Sequence, residues 1–434
     1  MAARYILADA CFDGDKLLQR GPWLVTVERG TITAVEHAPP QTRADISDAF
    51  LMPGLVEAHA HVFLDGSLTD VGTRNACMQA STAGMLATAR SNLTKTTRSG
   101  ITLVRDAGDR YGINHALREE LRNAADLPIT LRSPGAALKR AKRYGAFIGH
   151  DLGGGAEIVA AVAERCDGSN GDSATSDDIK IILTGVVDFT AGCVKGDPQF
   201  DAGELRQMVT EAHKRGRKTF AHCSGVAGLT VAVAAGVDSI EHGYFMNRDI
   251  LVQMADKEIT WVPTFAPVAF QHAAPHHAGW DGATVANIAR LLDDHAAHVT
   301  LAHEMGVAVL AGSDAGSPGV DHGAGLIDEL MHLHWAGMPM QAVLRAATSL
   351  PRRLWGGDSA RIAKGHAADM ILLDRSPFDD PQALREVAFV VKGECCVPLK
   401  HRGKRNTPQS RPSLDTADAD PIALPCISPC APER

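Results

Sequence analysis

Residues 51–61 read LMPGLVEAHAH, an apolar run that ends in two histidines separated by one residue. Successive side chains of a β-strand point to opposite faces, so His59 and His61 are predicted to point the same way. Two imidazoles that project together from one strand end can bind the same cation. The stretch therefore predicts a buried strand with a metal site at its C-terminal end.

Further apolar runs follow this strand, and stretches with apolar residues at helical spacing lie between them. Together they give eight predicted strands, at 51–61, 100–108, 127–133, 179–185, 218–224, 237–243, 259–265 and 307–315. Alternating strands and helices indicate βαβ units with a parallel sheet, and eight such units indicate a closed barrel. The predicted fold class is α/β, a (β/α)8 TIM barrel that occupies residues 51–360.

Short strands are predicted on both sides of the barrel. Residues 1–50 alternate between apolar and polar positions, and Arg29-Gly30 supplies a hairpin turn. Residues 361–402 return to the same pattern. We expect these two segments to form a small composite β-sandwich domain.

Two polar stretches, 166–178 and 403–434, lack periodic apolar residues and are predicted to be unstructured. The spacing of Cys426 and Cys430 in the second stretch would suit a metal or a disulfide. A bystander role is the favoured interpretation, because such short motifs often occur by chance.

The composition excludes several classes of protein. Hydrophobic residues make up 45% of the chain and charged residues 22%, which suits a globular core, and the formal net charge is −8. No basic stripe with interleaved aromatic residues precedes the tail, so a nucleic acid partner is not expected. The chain shows no leader-like start and no run of 18 apolar residues, so a cytoplasmic protein without a membrane partner is expected.

Other polar residues stand at the C-terminal ends of predicted strands, where barrels carry their active sites. His222, His242 and Asp314 end the fifth, sixth and eighth strands. Together with the first two histidines they form a ligand set that suits zinc. Lys180 lies in the apolar fourth strand, where an inward-pointing ammonium group would be costly.

The motifs LMPGLVEAHAH, GITLVRDAG, IKIILTG, FAH, IEHG and GSD, in this order, resemble the amidohydrolase superfamily. The similarity is strongest to its imidazolonepropionase-like and metal-dependent dipeptidase-like (prolidase-like) branch. It spans about residues 3–400 and includes GMPMQAVLRAATSLPRRL and IAKGHAADMILLD. One departure is Glu57, where the family more often has Asp.

The resemblance implies two divalent metal ions, with zinc favoured. It makes His59 and His61 ligands of the more buried ion, and His222 and His242 ligands of the more exposed one. Carbamylated Lys180 would bridge the two ions, and Asp314 would be both a ligand and a proton shuttle. The resemblance also implies a homo-oligomer.

The chemistry expected from this site is hydrolysis of a C–N amide-type bond. Two cations beside one water lower its pKa toward neutrality, so a metal-bridging hydroxide is the expected nucleophile. Asp314 is the expected general base and acid, and His242 is the second predicted catalytic residue.

The substrate remains open between alternatives. A small linear amide, such as a dipeptide or an N-acyl amino acid, is favoured over a cyclic amide of the imidazolone or lactam type. A distant alternative is a non-catalytic assembly protein on the same fold. Four cations could hold a substrate carboxylate, although a charge run is more often a solvated face: Lys139, Arg140, Lys142 and Arg143.

His150, Tyr244 and His322 are the candidate substrate-binding residues, and each has an ordinary loop role as its alternative. The segment after the seventh strand is predicted to be a lid, whose histidines are expected to face solvent or substrate rather than a further metal. Its notable residues are His272, His276, His277 and Trp280.

Overall fold

The computed structural model describes residues 3–18, 21–124, 127–168 and 174–399. The strands in these ranges are β1 (Arg4–Phe12), β2 (Leu17–Leu18), β3 (Trp23–Glu28), β4 (Thr31–His37), β5 (Ile46–Pro53), β6 (Leu55–Ala60), β7 (Ile101–Asp106), β8 (Thr130–Arg132), β9 (Ala137–Arg140), β10 (Gly149–Leu152), β11 (Asp178–Ile182), β12 (Val187–Asp188), β13 (Cys193–Val194), β14 (Lys218–Cys223), β15 (Ser239–His242), β16 (Thr260–Val262), β17 (Asp369–Leu373), β18 (Val387–Lys392) and β19 (Cys395–Pro398).

The α-helices in the same ranges are α1 (Val71–Met78), α2 (Thr82–Arg98), α3 (Ile113–Ala124), α4 (Ala156–Asp167), α5 (Ala202–Lys214), α6 (Val226–Ala235), α7 (Arg248–Asp256), α8 (Ala266–Ala273), α9 (Gly282–Glu304), α10 (Ala324–Trp335), α11 (Met340–Ala346) and α12 (Ser349–Leu354). Short 3-10 helices cover Pro275–His277 and Pro381–Arg385. None of the described helices is long and apolar enough to span a bilayer.

Strands from the two ends of the described chain form one sheet of eight strands, the terminal sheet. Its order is β19-β18-β17-β5-β1-β3-β4, with β2 paired to β1. The hairpin between β3 and β4 turns at Arg29 and Gly30, whose φ angles are 48° and 75°. Positive φ at both central residues is what a tight hairpin turn requires. The C-terminal strands thus join the N-terminal ones, while the domain boundaries stay a prediction.

From β6 to β16 the strands pair in parallel and alternate with helices, apart from the short antiparallel pair β12–β13. They form the ladders β6-β7-β8 and β10-β9-β11-β14-β15-β16. Parallel bridges join Trp261 to Val309 and Ala60 to Ala315, so the segment after α9 contacts both β16 and β6. This is an α/β fold of the TIM-barrel-like kind.

The predicted first strand, 51–61, is two strands that belong to different sheets. Residues up to Pro53 pair with β1 and β17, whereas β6 pairs with β7. Gly54 lies between them, and a Cβ atom there would collide with Thr102 and Asp369. Only glycine lets the backbone cross so closely between the sheets, so a continuous apolar run conceals the break.

Two further strands depart from the prediction. The third strand stops at Arg132, and the chain resumes as β9 after Pro134, which has no amide hydrogen to donate to a ladder. Residues 307–315 form isolated bridges instead of the continuous strand expected. Short strands with few ladder bonds are the elements that periodicity detects least well.

The stretch 166–178, expected to be unstructured, is partly ordered. Helix α4 extends to Asp167, and β11 begins at Asp178. Ser176 is buried and its Oγ donates to the carbonyl oxygen of Pro134 at 2.7 Å. Polar side chains here bond to neighbouring segments, which composition alone does not reveal. Residues 169–173 and the tail at 403–434, with Cys426 and Cys430, lie outside the described residues.

Candidate metal centre

His59 lies at the C-terminal end of β6, His61 follows the last residue of that strand, and both are buried. Their Nε2 atoms are 3.7 Å and 3.4 Å from the same oxygen, Oδ1 of Asp314. The backbone amide of Asp314 donates to the carbonyl oxygen of His59 at 2.7 Å, which fixes the two segments together. One ligand atom of each residue lies within 4.8 Å of the other two. This trio is therefore arranged as a possible cation site.

His222 and His242 lie at the ends of β14 and β15. Their ring centroids are 4.5 Å apart, and that of His242 is 5.0 Å from the ring of His59. The rings of His59 and His61 are 5.8 Å apart. The four histidines expected from the strand ends thus form one contiguous group.

Lys180 on β11 is only 1% exposed. Its Nζ has no hydrogen-bond partner among the described residues and lies 4.7 Å from the centroid of the Phe220 ring. Burial lowers the pKa of Lys180 to about 8, against the opposing effect of Glu241. A buried amine without a partner is costly. The site therefore holds a nitrogen whose partner the described chain does not supply.

Hydrogen bonds to the ring nitrogens leave one nitrogen free on each histidine of β6. His59 Nδ1 lies 2.5 Å from a carboxylate oxygen of Glu241, and His61 Nδ1 lies 3.2 Å from the carbonyl oxygen of Gly108. Both partners are acceptors, so each Nδ1 carries the proton and each Nε2 keeps its lone pair. Second partners of this kind are typical of histidines that bind metals.

His222 and His242 likewise use one ring nitrogen for a hydrogen bond and keep the other free. His242 Nδ1 is 2.7 Å from Thr264 Oγ1, which itself donates to the carbonyl oxygen of Pro263 and must accept from the imidazole. His222 approaches the carbonyl oxygen of Gly185 through Nε2 at 3.4 Å, which leaves Nδ1 free. The donor set, imidazole nitrogens with one carboxylate, fits divalent cations such as zinc.

Electrostatics keep these groups in forms that suit a cation. Burial, and next the charge of Lys180, lowers the pKa of His61 and of His222 to about 3 each. Both are neutral at pH 7, which is the metal-binding form. Burial raises the pKa of Asp314 to about 7. A carboxyl group with that pKa can both accept and release a proton near neutrality.

Three residues of the site have backbones in the left-handed region, which residues other than glycine rarely adopt. The φ angles are 69° at His242, 54° at Thr264 and 55° at Asp314. Each such residue costs of order 1–3 kcal/mol and persists where the surrounding structure enforces it. Strain that coincides with three site residues is typical of a functional centre.

Arg105 and Glu241 are parts of the site that the sequence analysis missed. Glu241, which accepts from His59, also accepts from Arg105 Nη2 at 3.0 Å, and both are buried. The pair orients the His59 ring from behind. A signal existed in the sequence, because an acidic and a basic residue each lie within an apolar strand, where burial demands a partner.

Glu57, the departure from the family pattern, is buried and joins two elements of the site. Its carboxylate accepts from the backbone amides of His59 and Ser313 at 3.1 Å and 2.9 Å, and from the Ser313 hydroxyl. It therefore fixes β6 against the segment that carries Asp314. It contributes no ligand in this arrangement.

The candidate substrate-binding residues lie in three different settings. Tyr244 is buried, stacks on His295 at 4.0 Å and donates its hydroxyl to the carbonyl oxygen of Thr264. The Nε2 of buried His322 lies 2.9 Å from the carbonyl oxygen of Leu64. These bonds occupy the polar atoms that would meet a substrate, and the substrate roles stay predictions.

His150 lies on β10 and is exposed, within 3.4 Å of Arg165 Nη2. It lines a separate cavity of about 600 Å³ with Asp109 and Arg165. Among the four basic candidates, Lys139 bonds to Asp151, and Arg140 to Gln199 and Glu204, so both have partners within the protein. Arg143 donates to the carbonyl oxygen of Asp197, and Lys142 is exposed.

The predicted lid segment is mostly helical. His272 lies in α8, and the rings of His276 and His277 in the following 3-10 helix are 4.2 Å apart. Trp280 Nε1 donates to Gln271 Oε1 at 2.7 Å, and the Trp280 ring is 5.9 Å from that of Phe189. The segment is thus anchored to its neighbours, and its lid role stays a prediction.

The sequence pattern of the Amidohydrolase family matches residues 50–397. The chain belongs to the amidohydrolase family. This amidohydrolase is 29% identical over 345 residues to an uncharacterized protein of Mycobacterium tuberculosis (strain ATCC 25618 / H37Rv), a match that covers 79% of this chain and 84% of the relative. It is also 29% identical over 203 residues to the ochratoxinase of Aspergillus niger, with coverage of 45% and 41%.

Solved structures share its fold. The crystal structure of A. niger ochratoxinase matches with a TM-score of 0.75 at 22% identity, covering 91% of this chain and 95% of that one. A Xaa-Pro dipeptidase matches with the same score and identity, covering 92% and 100%. These neighbours share the fold, and the match over residues 50–397 confirms the family inferred from the motifs. As an amidohydrolase, the protein is a hydrolase of amide-type bonds with a possible metal-binding cluster at His59, His61 and Asp314.

Proposed function

We propose that this amidohydrolase is a binuclear metal-dependent enzyme that cleaves the C–N bond of a small linear amide, such as a dipeptide or an N-acyl amino acid. The convergence of four neutral histidines, Asp314 and the unpartnered Nζ of Lys180 at one end of the parallel strands carries the proposal. The proposal includes a closed (β/α)8 barrel, which the bridges from residues 307–315 to β16 and β6 support.

The residues that would hold two divalent cations, with zinc favoured, are His59, His61, Lys180, His222, His242 and Asp314. Carbamylation by CO2 would turn Lys180 into a carboxylate on a long stem, and lowering its pKa to about 8 raises the fraction of the reactive neutral amine above that of an ordinary lysine. When bound, such cations lower the pKa of water toward neutrality and polarise a substrate carbonyl.

Asp314 is proposed to move the proton. Its Oδ2 accepts from Ser317 Oγ at 3.0 Å, while Oδ1 faces the two histidines of β6. The carboxylate accepts a proton from the attacking water and then delivers it to the departing nitrogen.

A linear substrate is favoured by the likeness to a Xaa-Pro dipeptidase, whose name specifies a linear dipeptide. A panel of dipeptides, N-acyl amino acids, aryl amides and cyclic ureas, assayed with zinc-loaded protein, tests this choice. Turnover confined to cyclic ureas would replace the linear substrate by the cyclic alternative.

Replacement of Asp314 by Asn is the direct test of the mechanism. Asp314→Asn should lower turnover by about 10³- to 10⁴-fold, because general acid and base catalysis are lost together. Zinc content, measured by elemental analysis, should be retained through the remaining ligands. The matched control is Asp328→Asn, a half-exposed aspartate on α10 that pairs with Arg385, and it should keep full turnover. Undiminished activity in Asp314→Asn would overturn the assignment.

A further inference from the structure

The loop at residues 141–148, between β9 and β10, follows the C-terminal end of a parallel strand and is held in place by its backbone. The carbonyl oxygen of Tyr144 accepts from Gln199 Nε2 at 3.1 Å, and the amide of Gln199 donates to the carbonyl oxygen of Leu183 at 2.7 Å. Gly145 has φ of 100°, and a Cβ atom there would lie 3.0 Å from Ile182. The loop is therefore fixed against the end of β11, the strand of Lys180.

This anchoring places the Tyr144 ring beside the metal centre. Its centroid is 5.2 Å from the ring of His222 and 6.1 Å from that of Phe147, which is itself 6.3 Å from the ring of His61. Burial, and next the charge of Asp314, raises the pKa of the Tyr144 phenol. At neutral pH the hydroxyl therefore keeps its proton and remains a hydrogen-bond donor.

The two tyrosines near the site differ in the state of their hydroxyl groups. Tyr244 donates to the carbonyl oxygen of Thr264. The Tyr144 hydroxyl has no hydrogen-bond partner within the part of the chain that the structure describes, and the residue is partly exposed. A phenol that is anchored through its backbone, lies tilted beside a proposed ligand histidine and is free at its hydroxyl can bind a group that enters the site.

The cations near the site are less suited to that task. Arg105 donates to Glu241 and to the carbonyl oxygen of Ala58, behind the histidines. Arg74 donates to the carbonyl oxygens of Asp65, Leu68 and Gly316. A neutral donor that is already positioned favours charge that develops during a reaction, because it does not need to reorganise.

We infer that Tyr144 is a catalytic residue whose phenol O–H donates a hydrogen bond to the carbonyl oxygen of the scissile amide. The bond strengthens as negative charge develops on that oxygen when water attacks the carbonyl carbon. The phenol keeps its proton throughout, so no bond of Tyr144 forms or breaks. The inference rests on the proposed amide hydrolysis, and it assigns a role that none of the sequence candidates fills.

Tyr144→Phe removes only the hydroxyl and keeps the ring that contacts His222. The variant should show kcat lowered about 100-fold, the effect expected for loss of one oxyanion donor. KM should change much less, because the bond is strongest in the transition state. Zinc content and Tm should match those of the parent protein. The control is Tyr111→Phe, a partly exposed tyrosine that packs on Phe63, and it should retain parental kcat.

Inorganic phosphate supplies a readout that does not need a substrate, since it presents a tetrahedral oxyanion to the zinc-loaded site. Calorimetric titration should show phosphate affinity lowered about tenfold in Tyr144→Phe, which corresponds to loss of one charge-assisted hydrogen bond. If the parent protein hydrolyses no amide but this difference is found, the proposed function fails and the donor role of Tyr144 stands.

Two results would overturn the inference. One is a Tyr144→Phe protein with the kcat and phosphate affinity of the parent. The other is a variant whose losses are accompanied by lost zinc or a lowered Tm, since that would identify Tyr144 as a packing residue.

Discussion

Two clusters of buried charged side chains lie at opposite ends of the same parallel strands. The candidate metal centre lies at the C-terminal ends, where β6 carries His59 and β14 carries His222. A second group, the basal cluster of Thr102, Arg352, Asp369 and Lys392, lies where these strands begin. Both are polar groups within an apolar core, but their hydrogen bonding differs.

In the basal cluster the carboxylate is fully engaged. Asp369 accepts from Thr102 Oγ1 at 2.5 Å, Arg352 Nη1 at 2.9 Å and Lys392 Nζ at 2.7 Å. Burial raises the pKa of Asp369, but the charges of Arg352 and Lys392 lower it by more, so it lies well below its usual range. The carboxylate is therefore held ionised by groups that the chain itself provides.

The metal centre shows the opposite state. Lys180 Nζ has no partner within the described residues, and Asp314 has a pKa near neutrality. A buried carboxylate that pairs with two cations of the chain is typical of a cluster that stabilises the fold, although Arg352 Nε has no hydrogen-bond partner among the described residues. A buried amine whose only nitrogen has no partner is typical of a site that binds a ligand. In barrel proteins the active site lies at the C-terminal ends of the strands, and residues at the N-terminal ends contribute to stability. The positions of the two clusters agree with this rule.

The largest expected effect is a loss of stability when the basal cluster is changed. Asp369→Asn leaves the buried Arg352 and the partly buried Lys392 without their counter-ion, so the free energy of unfolding should fall by about 3–5 kcal/mol. Urea unfolding of the zinc-free protein measures it, and zinc affinity should be unchanged. The matched control is Asp328→Asn, at the half-exposed pair with Arg385, which should cost under about 1 kcal/mol.

The sign of the pH dependence follows from the lowered pKa of Asp369. Its stabilising contribution is complete above the unfolded value of about 3.9 and is lost as pH falls through the lower folded value. The difference in stability between the parent and Asp369→Asn should therefore shrink as pH falls below about 4. A pH-independent difference would contradict the ionised state of Asp369.

The second effect concerns the carboxylate behind the metal centre. Glu241→Gln weakens the acceptor that orients His59, so zinc affinity should fall about 10- to 100-fold. Competition with a zinc chelator measures the change. Glu241 and Asp369 are both buried carboxylates bonded to an arginine, so Asp369→Asn is the control and should bind zinc normally. Equal zinc affinities in all three proteins would remove the functional distinction between the clusters.

The smallest expected effect is on stability, with a sign opposite to the first. Lys180→Met removes an unpartnered buried amine, so the free energy of unfolding of the zinc-free protein should rise by about 1–2 kcal/mol. With zinc and bicarbonate the variant should bind one ion instead of two, as elemental analysis would show.

Lys139 is the matched lysine for this experiment. It is equally buried but bonds to Asp151 and to the carbonyl oxygen of Arg140. Lys139→Met should therefore lower stability and leave zinc binding intact. Full binuclear occupancy in Lys180→Met would refute the bridging role.

The site residues at strand ends could be predicted because short stretches of sequence are enough to locate the strands and their ends. Alternation places His59 and His61 on one side of a strand, and the order of apolar runs places His222, His242 and Asp314 at strand ends. The inclusion of Lys180 came from resemblance to the family, since its spacing alone does not separate a ligand from a surface lysine.

The contacts that complete the site could not be predicted in the same way. Glu241 meets Arg105, and Tyr144 meets His222, only after distant segments have packed together. The break at Gly54 likewise depends on Thr102 and Asp369, which crowd the crossing between two sheets.

The sequence by itself determined the alternation of strands and helices, the histidines at the strand ends and the family, because each rests on short-range periodicity or on a local motif. The tertiary structure alone decided which buried charges have partners. That property depends on the distances between side chains far apart in the chain, and it separates the paired basal cluster from the metal centre with its unpartnered lysine.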